Sequence, residues 1–142
     1  MNKQQVAELF MKGQDCSQVV ASHYAGKLGM SEDELNKMAA AFGGGIGIGE
    51  TCGAVVGAMM VLGLRYGHKG TDDPENKDTM MTKRAEFLQK WGEKRSSCSC
   101  SELLGHDISK PGEFDKVLAE GLLFDFCPQL VLDAIEILDG ML

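Results

Sequence analysis

Residues 43–64 read GGGIGIGETCGAVVGAMMVLGL. The first part, Gly43 to Thr51, holds too many glycines for a stable helix or strand and predicts an irregular connection. The second part, Cys52 to Leu64, is a run of thirteen uncharged, mostly apolar residues. A helix that crosses a bilayer needs about twenty, so this run predicts a helix buried at the centre of a globular domain. Gly53 and Gly57, with Ala54 and Ala58 beside them, give that helix a small-residue face. Another helix can pack closely there, from the same chain or from a second copy.

Outward from this centre, apolar residues recur at helical spacing almost everywhere. Upstream, Val6, Leu9 and Phe10 mark a short first helix that stops at Gly13. Asp15 with Gln18 and Ser31 with Glu34 are capping-box pairs that open two more helices. One carries Cys16, Val19, Val20 and His23 and ends at Gly29; the other carries Leu35, Met38 and Phe42. Downstream, residues 67–79 are polar and turn-rich and read as an exposed loop. Met81, Arg84, Leu88 and Trp91 predict an amphipathic helix, Cys100 opens a short turn, and Phe114, Val117 and Leu118 mark another helix. Pro128 opens a last one with Leu130, Ala134, Ile137 and Leu138. No run alternates as a strand would, and nothing repeats. The expectation is one all-α domain over residues 1–142, a bundle of six to eight short helices around a central apolar helix at about 52–65.

With 44% hydrophobic and 25% charged residues, the chain has the composition of an ordinary globular domain, not of a disordered segment. Fourteen basic against 21 acidic side chains leave a net charge of -7, which disfavours nucleic acid and anionic lipid as partners. Lys83, Arg84, Lys90, Lys94 and Arg95 form the one basic cluster and read as a solvated helix face. The opening residues, Met-Asn-Lys-Gln-Gln-Val-Ala-Glu, lack the apolar core of a secretory signal. The expected location is therefore the cytoplasm, where the five cysteines would be thiols or metal ligands and not structural disulfides.

The cysteines follow a positional rule. Cys16 follows the Asp15 cap, Cys52 follows Thr51 at the head of the central helix, and Cys100 follows Ser99, which pairs with Glu102 as a capping box. Cys127 precedes Pro128 and so is expected as an N-cap. Only Cys98 lies outside a helix start. Unpaired N–H groups and the macrodipole place about half a positive charge at such a position, which predicts lowered thiol pKa values and reactive or metal-ligating sulfurs.

These residues also carry a resemblance. The run Gly49-Glu50-Thr51-Cys52-Gly53-Ala54-Val55-Val56-Gly57, with Cys16 upstream, Cys100-Ser101-Glu102-Leu103-Leu104-Gly105 downstream and Cys127-Pro128 near the end, resembles the C_GCAxxG_C_C family. The resemblance covers nearly the whole chain and keeps the order of the cysteines. It implies a small, mostly helical protein with a proposed redox role carried by Cys16, Cys52, Cys100 and Cys127, in a family whose members include selenoproteins. The family's name pattern places Gly before the cysteine where this chain has Thr51, and Cys98 has no counterpart in it.

Four such cysteines admit two redox chemistries. Converging thiolates would hold an iron–sulfur cluster, which takes Cys₄ ligation, although the ferredoxin spacings are absent. Zinc fits less well, because Cys98-Ser99-Cys100 is too tight for the C-x₂₋₄-C pair of a zinc site. Alternatively, pairs would cycle between dithiol and disulfide, with Cys52 attacking and Cys100 or Cys127 resolving, without a thioredoxin-type C-x-x-C. Gly49 and Gly53 are the expected points of close backbone approach to a cofactor. A nucleotide is disfavoured, since neither phosphate-loop pattern is present and Glu50 is acidic. His23, two turns after Cys16, is a candidate neighbour of the site; His68 and His106 read as solvated. The expected partners are a redox protein and a second copy. The competing class is a non-catalytic module, with a structural metal or buried thiols and oligomerisation through the small-residue helix.

Overall fold

The computed structural model describes residues 1–142 as ten α-helices with no strand: α1 (Lys3–Met11), α2 (Cys16–His23), α3 (Ala25–Leu28), α4 (Glu32–Ala39), α5 (Gly53–Tyr66), α6 (Pro74–Lys94), α7 (Cys100–Leu104), α8 (Glu113–Ala119), α9 (Leu122–Asp125) and α10 (Cys127–Asp139). The all-α expectation holds. The number of helices exceeds six to eight because α3 and α9 are single turns of four residues, too short for apolar spacing to reveal. No helix is long and apolar enough to cross a membrane.

The central helix is α5, flanked by α2, α6 and α10. Its small face meets α2 directly: a Cβ on Gly57 would lie 2.7 Å from the Ser17 carbonyl oxygen and 3.0 Å from the Val20 Cβ. That face is therefore covered within the chain by α2. Ala54, Ala58, Val61 and Leu62 from α5 pack with Val19, Val20, Phe87, Trp91, Val131, Ala134 and Leu138 in one continuous core. Trp91 is buried and satisfies its indole by donating to the Ser97 carbonyl at 2.9 Å. Ser17, fully buried, donates to the Ala39 carbonyl at 2.8 Å and fixes α2 on α4.

Two helix boundaries differ from expectation. The segment 67–79 is a loop only to Asp73, because Pro74 starts α6 at its first turn, where proline lacks only a donor that would be orphaned anyway. The polar residues 74–79 are the exposed first turns of that helix. The buried face of α6 also runs through Phe87 and Trp91, while Met81 and Leu88 are exposed; Met38 of α4 is likewise on the surface. The basic cluster on α6 is a surface face laced with acids: Lys83 and Lys90 pair with Glu86, and Lys94 with Glu136.

Arg95 differs from these surface pairs. Its Nε donates to Asp133 of α10 at 2.6 Å, and its guanidinium lies over the Phe126 ring, one residue before Cys127. Asp133 is buried, with Gln129 as its other partner at 3.3 Å. Removing a partner from a buried carboxylate leaves a desolvated charge behind. Arg95 is partly solvated, so Arg95→Met is expected to cost about 2 kcal/mol, at the lower end of such effects. Thermal unfolding should show this as a fall of about 4–8 °C.

Candidate functional site

Four of the five cysteines stand at helix starts. Cys16, Cys100 and Cys127 are the first residues of α2, α7 and α10, and Cys52 is the N-cap of α5. Cys127 is thus one position further into its helix than expected, and Phe126 takes the cap. All four line one cavity of about 140 Å³, which is close to the size of an apolar cavity that holds one benzene ring. Its other walls are mainly apolar, with Phe10, Ile108, Phe114, Val117 and Leu130 among them.

Local chain geometry explains the convergence. Thr51 and Ser99 form an isolated antiparallel bridge. On either side of it the Cys52 N–H donates to the Cys98 carbonyl at 2.7 Å, and the Cys100 N–H to the Glu50 carbonyl at 2.6 Å. This two-residue ladder brings together cysteines 48 positions apart in the chain. Ser99 then caps α7, its Oγ accepting from the Glu102 N–H at 3.2 Å. Cys98 takes part through its backbone carbonyl; its side chain packs half-buried against the core, outside the cavity.

Cys16 is positioned by two glycine features. Its sulfur occupies the space that a Cβ on Gly53 would fill. On the other side, Gly44, Gly45, Ile46 and Gly47 turn left-handed with φ between 62° and 71° for the glycines and 61° for Ile46. For a β-branched residue that conformation costs about 1–2 kcal/mol. Within this turn the Gly44 N–H points to the Cys16 sulfur, and Gly44 lines the cavity. Gly53 therefore lies against the Cys16 sulfur with no room for a side chain. At Gly49, Ser101 Oγ fills the place of the missing side chain and donates to the Gly49 carbonyl at 2.8 Å.

The electrostatics reverse one expectation. Burial pushes the Cys100 thiol up to about 11 and the Cys127 thiol up to about 12, each further raised by repulsion from Cys16. Cys52 is driven higher still by burial and by the charge of Cys16. Cys16 is also raised, first by burial, although the N–H groups of Gly44 and Ser17 oppose the shift. The partial charge at a helix start is outweighed by the loss of water. Nor is Cys52 accessible as the attacking-thiolate reading requires: it is 5% exposed. Cys98 is raised by burial alone, without influence from the other four. No three His, Cys, Asp or Glu side chains are grouped closely enough to hold a metal ion.

A family model described as "Putative redox-active protein (C_GCAxxG_C_C)" matches residues 14–141. The chain belongs to the C_GCAxxG_C_C family. No curated protein and no solved structure matches it. The C_GCAxxG_C_C match takes in all five cysteines and every helix from α2 onward and leaves α1 outside, although Phe10 of α1 helps wall the cavity. In this C_GCAxxG_C_C protein, therefore, an element beyond the matched span helps shield the cysteines.

The histidines lie elsewhere. His23 is exposed, edge-on to the Tyr24 ring, and faces α1 and not the cavity. His68 is exposed. His106, expected to be solvated, is instead held between Glu113 and Glu120. The sequence marks Phe114 and Val117 as part of a helix but not as walls of the cavity, and it does not single out Ile108, because apolar spacing reports local structure and not which distant site a helix covers.

Proposed function

We propose that Cys16, Cys52, Cys100 and Cys127 ligate an iron–sulfur cluster in their shared cavity and that the protein carries single electrons through it. One observation carries this reading: four sulfurs from four separate helix starts face one small cavity with mainly apolar walls. The donor set is all sulfur, the set such clusters take. As bare thiolates the four would repel one another in a site poor in water, so deprotonation of all four calls for a cation among them. A single tetrahedral zinc ion would need sulfurs under about 4 Å apart, and no three ligands are grouped for one ion. A larger centre bridges wider gaps.

Held by Cys16, Cys52, Cys100 and Cys127, a cluster would supply one-electron transfer between a reduced and an oxidised carrier protein, with no bond made or broken in the chain. Each cysteine gives up its thiol proton on ligation. The helix starts and the Gly44 N–H oppose the negative charge of the loaded site. Phe10, Ile108, Phe114 and Val117 limit water at the sulfurs. Thiol–disulfide exchange is the rival, and it is weakened by the burial of Cys52 and by thiols held protonated.

Anaerobic purification followed by visible spectroscopy and by iron, sulfide and zinc assays tests the reading. A coloured protein with iron and acid-labile sulfide is expected, bleached by dithionite and restored by an oxidant. A colourless protein whose thiol count drops reversibly by two or four would overturn it in favour of dithiol chemistry.

A further inference from the structure

The outer wall of the cysteine cavity is a separate strap of chain. Leu104, Ile108, Phe114 and Val117, all between the end of α7 and the end of α8, line the cavity. Yet the main helical neighbour of α8 is the four-residue α9, and that of α7 is the Gly45–Gly49 turn. The strap bends at Gly105, Gly112 and Gly121, with φ of 71°, 79° and 73°, each with open space where a Cβ would stand. It thus covers the site without being built into the main core.

One side chain ties the strap together. His106 sits just after α7, and its Nδ1 lies 2.9 Å from Glu113 Oε2 while its Nε2 lies 2.8 Å from Glu120 Oε2. Those two carboxylates mark the first residue of α8 and the residue just past its end. An ionised carboxylate only accepts hydrogen bonds, and a neutral imidazole has one N–H. Both contacts are made together only when the ring is the doubly protonated cation. The charged groups around it are consistent with that state: Glu113 and Glu120 face it, Lys116 of α8 pairs with Glu113 at 2.9 Å, and Asp107 beside it is turned to Ser109. Lys110, Asp115 and Glu102 are the remaining charges of the strap and of α7, and all three are on the surface.

We infer that His106 is a pH-sensitive latch: as a cation it holds residues 105–121 closed over the cysteine cavity, and its deprotonation releases one end of α8 and loosens that cover. The sign follows from the contacts. Glu113 and Glu120 raise the His106 pKa above its ordinary value, so closure is complete at mildly acidic pH and is lost as pH rises through the raised value. The inference concerns access to the cavity and stands with or without the cluster.

Hydrogen exchange on the purified full-length protein between pH 6 and 9, corrected for intrinsic exchange rates, tests it. Protection of 105–121 should fall about tenfold as the His106 ring proton signal titrates, the loss expected for one charge-assisted hydrogen bond, while protection of α5 stays level. His106→Gln should show low protection of the strap at every pH, and Glu120→Gln a lower midpoint. Constant protection across the titration in the wild type, or a pH-dependent loss that persists in His106→Gln, would overturn the latch. Protection of α5 in each variant shows that the fold is intact, and the visible spectrum, read separately, reports on the cluster.

Discussion

Cys52→Ser protein purified without oxygen is expected to lose iron, sulfide and visible absorption together, with at least a tenfold drop in bound iron, whereas Cys98→Ser keeps all three. The contrast follows from geometry. Cys52 lines the cavity and shares its electrostatics with Cys16 and Cys100. Serine at 52 removes a soft ligand from a four-sulfur set, and perturbing even the outer shell of a metal site commonly lowers affinity by about 10–100-fold. Cys98 is half-buried against the core, and the contribution it makes to the site is its carbonyl, which accepts from the Cys52 N–H at 2.7 Å. A serine there leaves that carbonyl in place. Cys16→Ser, Cys100→Ser and Cys127→Ser should each behave as Cys52→Ser does. A Cys98→Ser variant as depleted as Cys52→Ser would show that the fifth sulfur is a ligand and would sink the four-cysteine assignment.

The division of the cysteines into four and one was legible in the sequence because it rests on local signals. Asp15, Ser99 and Pro128 announce helix starts within a residue or two, and capping chemistry acts at that range. The central helix was legible for a similar reason, as thirteen apolar residues leave one physical option. What could not be read was anything set by distant contacts. The bridge between Thr51 and Ser99 pairs single residues from segments with no strand pattern. The raised thiol pKa values come from burial in the assembled cavity, and sequence position alone shows the opposing helix-start effect without showing that burial exceeds it. His106 looked like a loop histidine because Glu113 and Glu120 are seven and fourteen residues away, and only the return of α8 beside the ring brings both to it.

Gly53→Ala is expected to disrupt the site without altering any cysteine, and two neighbouring glycines provide its controls. A Cβ at 53 would clash with the Cys16 sulfur and would also stand 3.0 Å from the Phe42 carbonyl oxygen and 3.2 Å from the Ser17 nitrogen. Two of the three obstacles are backbone, and α2 cannot retreat because the buried Ser17 hydroxyl holds it to Ala39. The sulfur must leave its place, so iron content should fall with Gly53→Ala, along with about 1–3 kcal/mol of stability from overpacking. Gly57→Ala meets the Ser17 carbonyl oxygen at 2.7 Å and Val20 at 3.0 Å but no sulfur. It should lose a similar amount of stability while keeping most of its iron per folded molecule. Gly63, further along the same helix, has nothing within 4 Å of the added carbon. Gly63→Ala should therefore stabilise the protein by about 0.5–1 kcal/mol, the ordinary gain of alanine over glycine inside a helix. Denaturant unfolding and iron analysis on the three variants separate packing from ligand placement. Equal iron loss in Gly53→Ala and Gly57→Ala would mean that the α2–α5 contact as a whole, and not the seat of one sulfur, governs the site.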